Sequence, residues 1–135
     1  MNSIKEILKP LRKKGASFFN QKDLDLFISE IGKSYSSPIY SFEALVQEDE
    51  TVRLEFSFLT SKAIFDYALV NSSIEVNILF LKNISNIVEE ISTSSTIIQI
   101  LNTGRIGLIY RAYNIDDKIE LNKYKENIID QINNL

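Results

Sequence analysis

Between residues 40 and 113 the chain is a close succession of segments in which apolar and polar side chains alternate. In the clearest segment, residues 51–59, every second side chain is apolar: Val52, Leu54, Phe56 and Phe58. A period of two is typical of an antiparallel strand with one buried face. Short polar breaks of hairpin length separate the segments. Such a chain is restricted to a meander of strands that curls into a barrel or divides into two packed sheets.

Seven strands are predicted in this region, at residues 40–47, 51–59, 62–70, 74–80, 83–91, 96–101 and 105–113. The fifth segment also has apolar side chains at helical spacing, which leaves a short helix as the alternative. We favour a strand because the segment is short and rich in β-branched residues.

The alternation also predicts which side chains face the core. On the second strand Glu55 and Ser57 fall on the polar face, and on the third strand Asp66 is expected to point outward. On the fourth strand the side chains expected to face inward are Ile74, Val76, Ile78 and Phe80.

Two helices are predicted before the strands. Ser3 and Glu6 match a capping box at the start of the first. Pro10 is expected to kink or end that helix near Lys9, since proline lacks the N–H that a helix interior needs. Gly15 is the expected stop. The second helix is predicted at residues 21–31.

The second helix and the C-terminal helix both begin with a capping signal. Asn20 is the expected N-cap of the second helix, which Gly32 should end. Asn114 marks the start of a C-terminal helix. Apolar side chains recur there every three or four positions: Leu121, Tyr124, Ile128, Ile132 and Leu135. This apolar face needs a partner, for which the strand core is the nearest candidate.

These elements predict an α+β, mainly β protein. The expected architecture is a seven-stranded antiparallel bent sheet or partly open barrel, capped by the C-terminal helix and preceded by two N-terminal helices. Residues 1–37 would form a helical extension, and residues 38–135 the barrel with its C-terminal helix. A length of 135 residues with 44% apolar content suits one hydrophobic core.

Composition excludes several kinds of chemistry. The chain has no cysteine and no histidine, so disulfides, thiolate metal sites and the commonest general base near neutral pH are absent. No catalytic motif stands out, and we expect no enzyme, metal or cofactor. The sequence lacks an apolar run of membrane-spanning length and a signal-peptide pattern, which predicts a cytoplasmic protein.

Charge is divided unevenly along the chain. Residues 1–15 carry a net charge of +4, and the remainder carries −7. Residues 1–15 are called the basic head, and their basic side chains are Lys5, Lys9, Arg12, Lys13 and Lys14. They could bind an anionic membrane surface as part of an amphipathic helix, with peripheral membrane association as the result. A helix packed on its own domain with a solvated basic face is favoured, because the segment is short and kinked. The acidic body argues against nucleic-acid binding.

Other candidate groups have simpler explanations. The acids of residues 48–50 and 89–90 could hold a cation, but acids in a turn are usually solvated. The hydroxyls of residues 92–96 have no histidine to activate them. Phe56, Phe58 and Phe80 could line a ligand cavity, although aromatic residues at strand spacing are more often ordinary core.

The run FLTSKAIFDY at residues 58–67, followed by LKNI at residues 81–84, resembles the third-strand region of bacterial pleckstrin-homology-like (PH-like) and GRAM-like domains. The resemblance covers residues 38–135 and implies a bent barrel with a helix in one end. Lipid-binding members carry basic residues at the first hairpin, whereas residues 47–50 here are Gln-Glu-Asp-Glu. The resemblance therefore implies binding of a protein or peptide rather than a phosphoinositide.

The chain also resembles small acidic chaperones of type III secretion in length and pI. Those proteins usually have a helix between their third and fourth strands, which the pattern here provides only if residues 83–91 are helical, and then one strand late. Three hypotheses follow: a non-catalytic interaction module for a protein or peptide, a small-ligand-binding barrel or enzyme of unrecognised type, and an acidic chaperone-like or immunity-type protein binder. A cavity lined by Phe56, Phe58 and Phe80 would favour the second. An open strand edge or an apolar groove beside the C-terminal helix would favour the first or third.

Overall fold

Residues 4–135 are described by a computed structural model, which has the α+β, mainly β architecture predicted from the sequence. The seven strands are β1 Tyr40–Glu48, β2 Thr51–Leu59, β3 Ala63–Val70, β4 Ser73–Phe80, β5 Ile84–Ile91, β6 Thr96–Asn102 and β7 Arg105–Ala112. The helices are α1 Ile4–Ile7, α2 Lys9–Gly15, α3 Gln21–Ser34 and α4 Ile115–Asn133, with a 3-10 turn at Leu81–Asn83. The preference for a strand over a helix in the fifth segment is confirmed.

The strands form two antiparallel sheets. The first has the order β1-β2-β3-β4 and the second the order β5-β6-β7, so every paired strand is a neighbour in sequence. Within the described chain the two sheets do not close into a barrel, but one side is joined by polar contacts. Arg111 Nε on β7 lies 3.0 Å from Glu48 Oε1 on β1, and the Tyr113 hydroxyl also donates to Glu48. The result is the partly open barrel that the sequence predicted.

The first sheet is covered on both of its faces. One face packs on the N-terminal helices, where Leu54, Phe56 and Phe58 meet buried side chains of α2, α3 and the residue between α1 and α2. Those helical side chains are Leu8, Leu11, Leu24, Phe27, Ile28 and Ile31. The other face packs on the second sheet and α4. The prediction that Glu55 and Ser57 face solvent is therefore wrong, since both are buried against the second layer.

The N-terminal helices follow the local signals of the sequence. The first helical segment breaks at Leu8, and Pro10 lies in the first turn of α2, where its missing N–H costs nothing. The Asn20 side chain accepts a hydrogen bond from the Asp23 N–H at 2.8 Å and caps α3. Helix α3 continues past Gly32 to Ser34, so the predicted stop was early. Ser3 of the predicted capping box lies outside the described residues.

Gly15 shows why α2 can approach the first sheet so closely. A Cβ atom at this position would lie 2.7 Å from Leu54 Cδ2 and 2.8 Å from Leu24 Cδ2. Both distances are too short for a real contact, and both partners are buried. The glycine at the end of α2 therefore brings this helix, α3 and β2 into direct contact.

Helix α4 completes the core on the opposite side of the first sheet. The Asn114 side chain caps it by accepting from the Asp117 N–H at 2.8 Å. Leu121, Tyr124 and Ile128 are buried, as predicted, whereas Leu135 follows the helix end and is exposed.

A small hydroxyl cluster joins α4 to both sheets. Ser57 Oγ lies 2.6 Å from the Tyr124 hydroxyl and 2.8 Å from the Tyr110 hydroxyl. Three layers thus share one buried hydrogen-bonded group, which satisfies polar atoms that would be costly if left unpaired.

Of the four side chains of the fourth strand predicted to face inward, only Ile74 packs partly against the core. Val76, Ile78 and Phe80 are each about half exposed, and Leu79 is the side chain that enters the core. The reason is tertiary: β4 is the outer strand of its sheet, and the N-terminal helices pack mainly on β1, β2 and β3. An apolar stripe therefore remains uncovered along this edge.

Substitution of Ile128 tests whether α4 is part of the hydrophobic core. Its side chain is 1% exposed, so Ile128→Asp should destabilise the fold by at least about 3 kcal/mol through lost burial and an unpaired buried charge. The matched control is Ile119→Asp on the same helix, where the side chain is 48% exposed. Chemical denaturation should show a large loss of stability for the first variant only. Equal stability of the two variants would place α4 outside the core.

Candidate functional site

The basic head does not form one continuous charged surface. Arg12 pairs with Asp25 of α3, and Lys14 Nζ lies 3.3 Å from the Glu43 carbonyl oxygen on β1. Lys5, Lys9 and Lys13 are exposed. Two of the five predicted binding residues are therefore engaged within the protein itself.

The apolar side of the same segment is also occupied. Leu8 and Leu11 are buried in the cluster that joins the helices to the first sheet. Ile7 and Phe18 remain about half exposed. Of the described helices, none is long and apolar enough to cross a bilayer. Lys5, Lys9 and Lys13 are therefore the exposed basic side chains of this segment, and Ile7 and Phe18 its exposed large apolar ones.

The three phenylalanines proposed for a ligand cavity are not brought together. Phe56 and Phe58 pack side by side with ring centroids 6.2 Å apart, in the buried cluster under the N-terminal helices. Phe80 lies outside that cluster on the exposed face of β4. This arrangement is that of core aromatic residues for the first two and of an edge-strand residue for the third.

The acidic turn at residues 48–50 is exposed, and Glu48 already pairs with Arg111. Glu89 pairs with Lys125 of α4 at 2.9 Å, while Glu90 is exposed. Among residues 4–135 no group of three or more acidic side chains is placed to hold a metal ion. The hydroxyl of Ser92 forms hydrogen bonds with those of Ser94 and Ser95 within their loop.

An apolar groove lies between β5 and the C-terminal part of α4. Its volume is about 320 Å³. Ile84 and Ile87 form the wall on the strand side, and Ile129 and Ile132 form the wall on the helix side. Ser85 and Asn86 add polar groups at the strand. The groove therefore combines four branched apolar side chains with a few polar groups beside them.

The strand that borders this groove has an open edge. β5 is the terminal strand of the second sheet, so one row of its backbone N–H and C=O groups has no neighbouring strand. The Ile87 N–H donates instead to the side chain of Asn86, the residue before it, at 2.8 Å. An arriving strand could take over this N–H and extend the ladder.

A second pocket, of about 350 Å³, lies between the two sheets and is polar. Its charged lining side chains come from four strands: Glu48, Arg53, Glu55, Asp66 and Arg111. Arg53 Nε lies 3.7 Å from Glu55 Oε2, and its guanidinium also reaches Glu75 at 3.4 Å. The prediction that Asp66 points outward is wrong, because the sheet face it shares with Glu55 is the inner one.

Burial raises the pKa values of two carboxyl groups in this pocket. Desolvation first, and then the nearby Glu55 carboxylate, raise the pKa of Asp66 from 3.8 to about 7 against the opposing charge of Arg53. Desolvation also raises the pKa of Glu55, although Arg53 and Arg111 lower it. Burial raises the pKa of Tyr110 well above 10.0, so the hydroxyl cluster around Ser57 stays neutral.

The raised pKa of Asp66 predicts how stability depends on pH. Between pH 3.8 and about 7 the folded protein holds a proton on Asp66 that the unfolded chain releases. The stability that this proton confers is complete below that window and is lost as the pH rises through it. Melting temperature should therefore fall between pH 5 and pH 8, in a series of buffers of equal ionic strength.

Asp66→Asn supplies the comparison for this pH series. The variant keeps the shape of the side chain and removes its titration, so its melting curve should depend less on pH and should exceed the parent's stability at pH 8. An identical pH dependence in both proteins would mean that Asp66 titrates as an exposed carboxyl.

Sequence reasoning missed Glu55, Asp66 and the groove for different reasons. The two acids occupy alternating positions in strands with one clear apolar face, and nothing local shows that a second sheet covers the other face. Ile84 and Ile87 were identified as strand residues and Ile132 as a helix residue. Their meeting depends on how α4 crosses the second sheet.

Comparisons of the chain with protein-family models, with curated proteins and with solved structures found no match. A function for this protein therefore has to be inferred from its own geometry.

Proposed function

We propose that this protein is a non-catalytic interaction module of PH-like architecture, which binds an extended segment of a protein partner in the groove between β5 and α4. The observation that carries the proposal is the open edge of β5 beside that groove. A peptide added to this edge gains backbone hydrogen bonds from the strand. Every second side chain of the peptide would enter the space between Ile87 and Ile129.

The order of elements supports the PH-like part of the proposal. A four-stranded sheet, a three-stranded sheet and a C-terminal helix follow one another in the chain. The exposed acidic turn between β1 and β2 supports a protein ligand over a phosphoinositide, because Glu48, Asp49 and Glu50 would repel phosphate groups.

The charge near the groove indicates what the partner segment carries. β5 and α4 together have seven acidic and three basic side chains. Exposed acids on these elements include Glu90, Glu126 and Asp130. A complementary segment has apolar residues at alternate positions for the groove and basic residues on its flanks, since complementary charge steers association and favours the correct partner.

Selection of binding peptides from a random displayed library on the full chain tests this proposal. The selected peptides should be apolar at every second position and basic at their flanks, and binding should shift the backbone amide resonances of β5. Ile129→Asp should weaken binding at least about tenfold, because it places a charge in the groove.

Ile119→Asp is the control for the peptide experiment. Ile119 lies on the same helix, is similarly exposed and does not line the groove. Its substitution should leave binding unchanged. Failure to select any peptide, or equal losses in the two variants, would contradict a binding site between β5 and α4.

A second candidate function, attachment to an anionic membrane, is favoured by the exposure of Lys5, Lys9 and Lys13 and of the apolar side chains of Ile7 and Phe18 in the same N-terminal segment. Attachment of this kind would place the acidic body at the membrane surface as the partner-binding part. It would depend on charge, because Leu8 and Leu11 are held in the core.

Co-sedimentation with vesicles rich in phosphatidylserine tests the membrane hypothesis. Deletion of the N-terminal residues is unsuitable, since it would remove Leu8 and Leu11 from the core. The triple variant Lys5→Glu, Lys9→Glu, Lys13→Glu should abolish salt-sensitive binding while the fold is retained. Binding that survives this triple substitution, or absent binding by the parent chain, would remove the basic segment as an anchor.

A further inference from the structure

The polar pocket between the sheets contains a buried acceptor with no partner. Glu55 is 4% exposed. Its Oε2 atom lies 3.7 Å from Arg53 Nε, whereas Oε1 has no hydrogen-bond partner within residues 4–135. Carboxylates buried to this degree are normally satisfied by donors, because desolvation of an unpaired charge is costly. The side chain lines the pocket, so a donor inside the pocket could complete its bonding.

The charges around this acceptor do not balance. Arg111 is engaged by Glu48 at 3.0 Å, and Arg53 forms ion pairs with Glu55 and Glu75, although its buried Nε makes no hydrogen bond within residues 4–135. Asp66 lines the same pocket and forms no salt bridge with any described residue. Once the two arginines are assigned to their partners, a carboxylate remains without a cation. The pocket therefore has room for one further positive charge.

The volume and the lining residues of the pocket restrict which kind of cation could bind there. A volume of about 350 Å³ is at the small end of the range for ligand sites. Leu108 and Ile109 of β7 supply an apolar wall beside the carboxylates. A divalent metal would need six or more oxygen ligands, and among the described residues no cluster of acids is placed to provide them. An alkyl chain that ends in N–H donors suits both the wall and the unpaired oxygen.

From this geometry we infer that the pocket between the sheets binds a small organic cation, whose ammonium or guanidinium group donates to Glu55 Oε1 and Asp66 while its alkyl part contacts Leu108 and Ile109. The site is separate from the groove at β5 and does not depend on the function proposed for that groove. It gives the domain a small-ligand site in addition to its strand edge.

Titration of the full chain with butylammonium at pH 8 tests this inference, with backbone amide resonances as the readout. Saturable shifts are expected around Glu55 and Asp66. Tetramethylammonium, which has the charge but no N–H donor, and butanol, which has the alkyl chain but no charge, should produce much weaker shifts. A parallel titration with butylguanidinium distinguishes the two donor groups.

Variants decide whether Glu55 is responsible. Glu55→Gln should weaken butylammonium binding about tenfold or more, the effect of losing one charge-assisted hydrogen bond. Asp66→Asn should also weaken it, and this variant serves if Glu55→Gln does not fold. Glu90→Gln, an exposed change on β5, should leave binding unchanged. Absent saturable shifts, equal shifts with tetramethylammonium, or unchanged affinity in both pocket variants would overturn the inference.

Discussion

Burial of β2 on both faces is the constraint on which the rest of this structure depends. Leu54, Phe56 and Phe58 project toward the N-terminal helices, and Glu55 and Ser57 project toward the second sheet. The helices, the first sheet and the second layer are thus three parts of one assembly with β2 at its centre. The hydroxyl of Ser57 secures the second layer, because it bonds both to Tyr110 on β7 and to Tyr124 on α4. Within the predicted N-terminal extension, Leu8, Leu11 and the buried side chains of α3 supply one wall of a shared core.

The same arrangement divides the space between the sheets into an apolar and a polar part. Phe42, Ile64 and Ile128 belong to a continuous apolar cluster around α4. Beyond Ser57, the inner face of β2 continues with Glu55 and Arg53, where the second layer leaves a pocket. The apolar part contains buried side chains that stabilise the fold, and the polar part contains the unsatisfied polar groups. Natural cores seldom leave buried carboxylates without partners unless the site has another use.

Local signals in the sequence predicted the helices and strands well. Features that depend on packing between elements distant in the chain were not predicted. Asn20 and Asn114 cap their helices as expected because capping involves residues only three positions apart. Alternation correctly grouped Val76, Ile78 and Phe80 on one face of β4, but it could not show that this face would lie uncovered at the edge of a sheet. It likewise assigned Glu55 and Asp66 to the polar faces of β2 and β3 without showing that a second sheet would cover these faces. The groove could not be predicted for the same reason, since Ile87 and Ile129 lie far apart in the chain and meet only after α4 docks.

Pairing of every strand with its neighbour in sequence has a consequence for the time course of folding. Each hairpin closes only a short loop, so both sheets can form early at small entropic cost. The bonds of Ser57 to Tyr110 and Tyr124 span 53 and 67 residues, and they require two finished sheets and a docked helix. Until that step the side chains that form the core around α4 are exposed as well, in addition to the apolar stripe of β4 and the edge of β5. The slow phase of folding is therefore expected to be the association of preformed layers, which is also the stage at which mispairing between chains would compete.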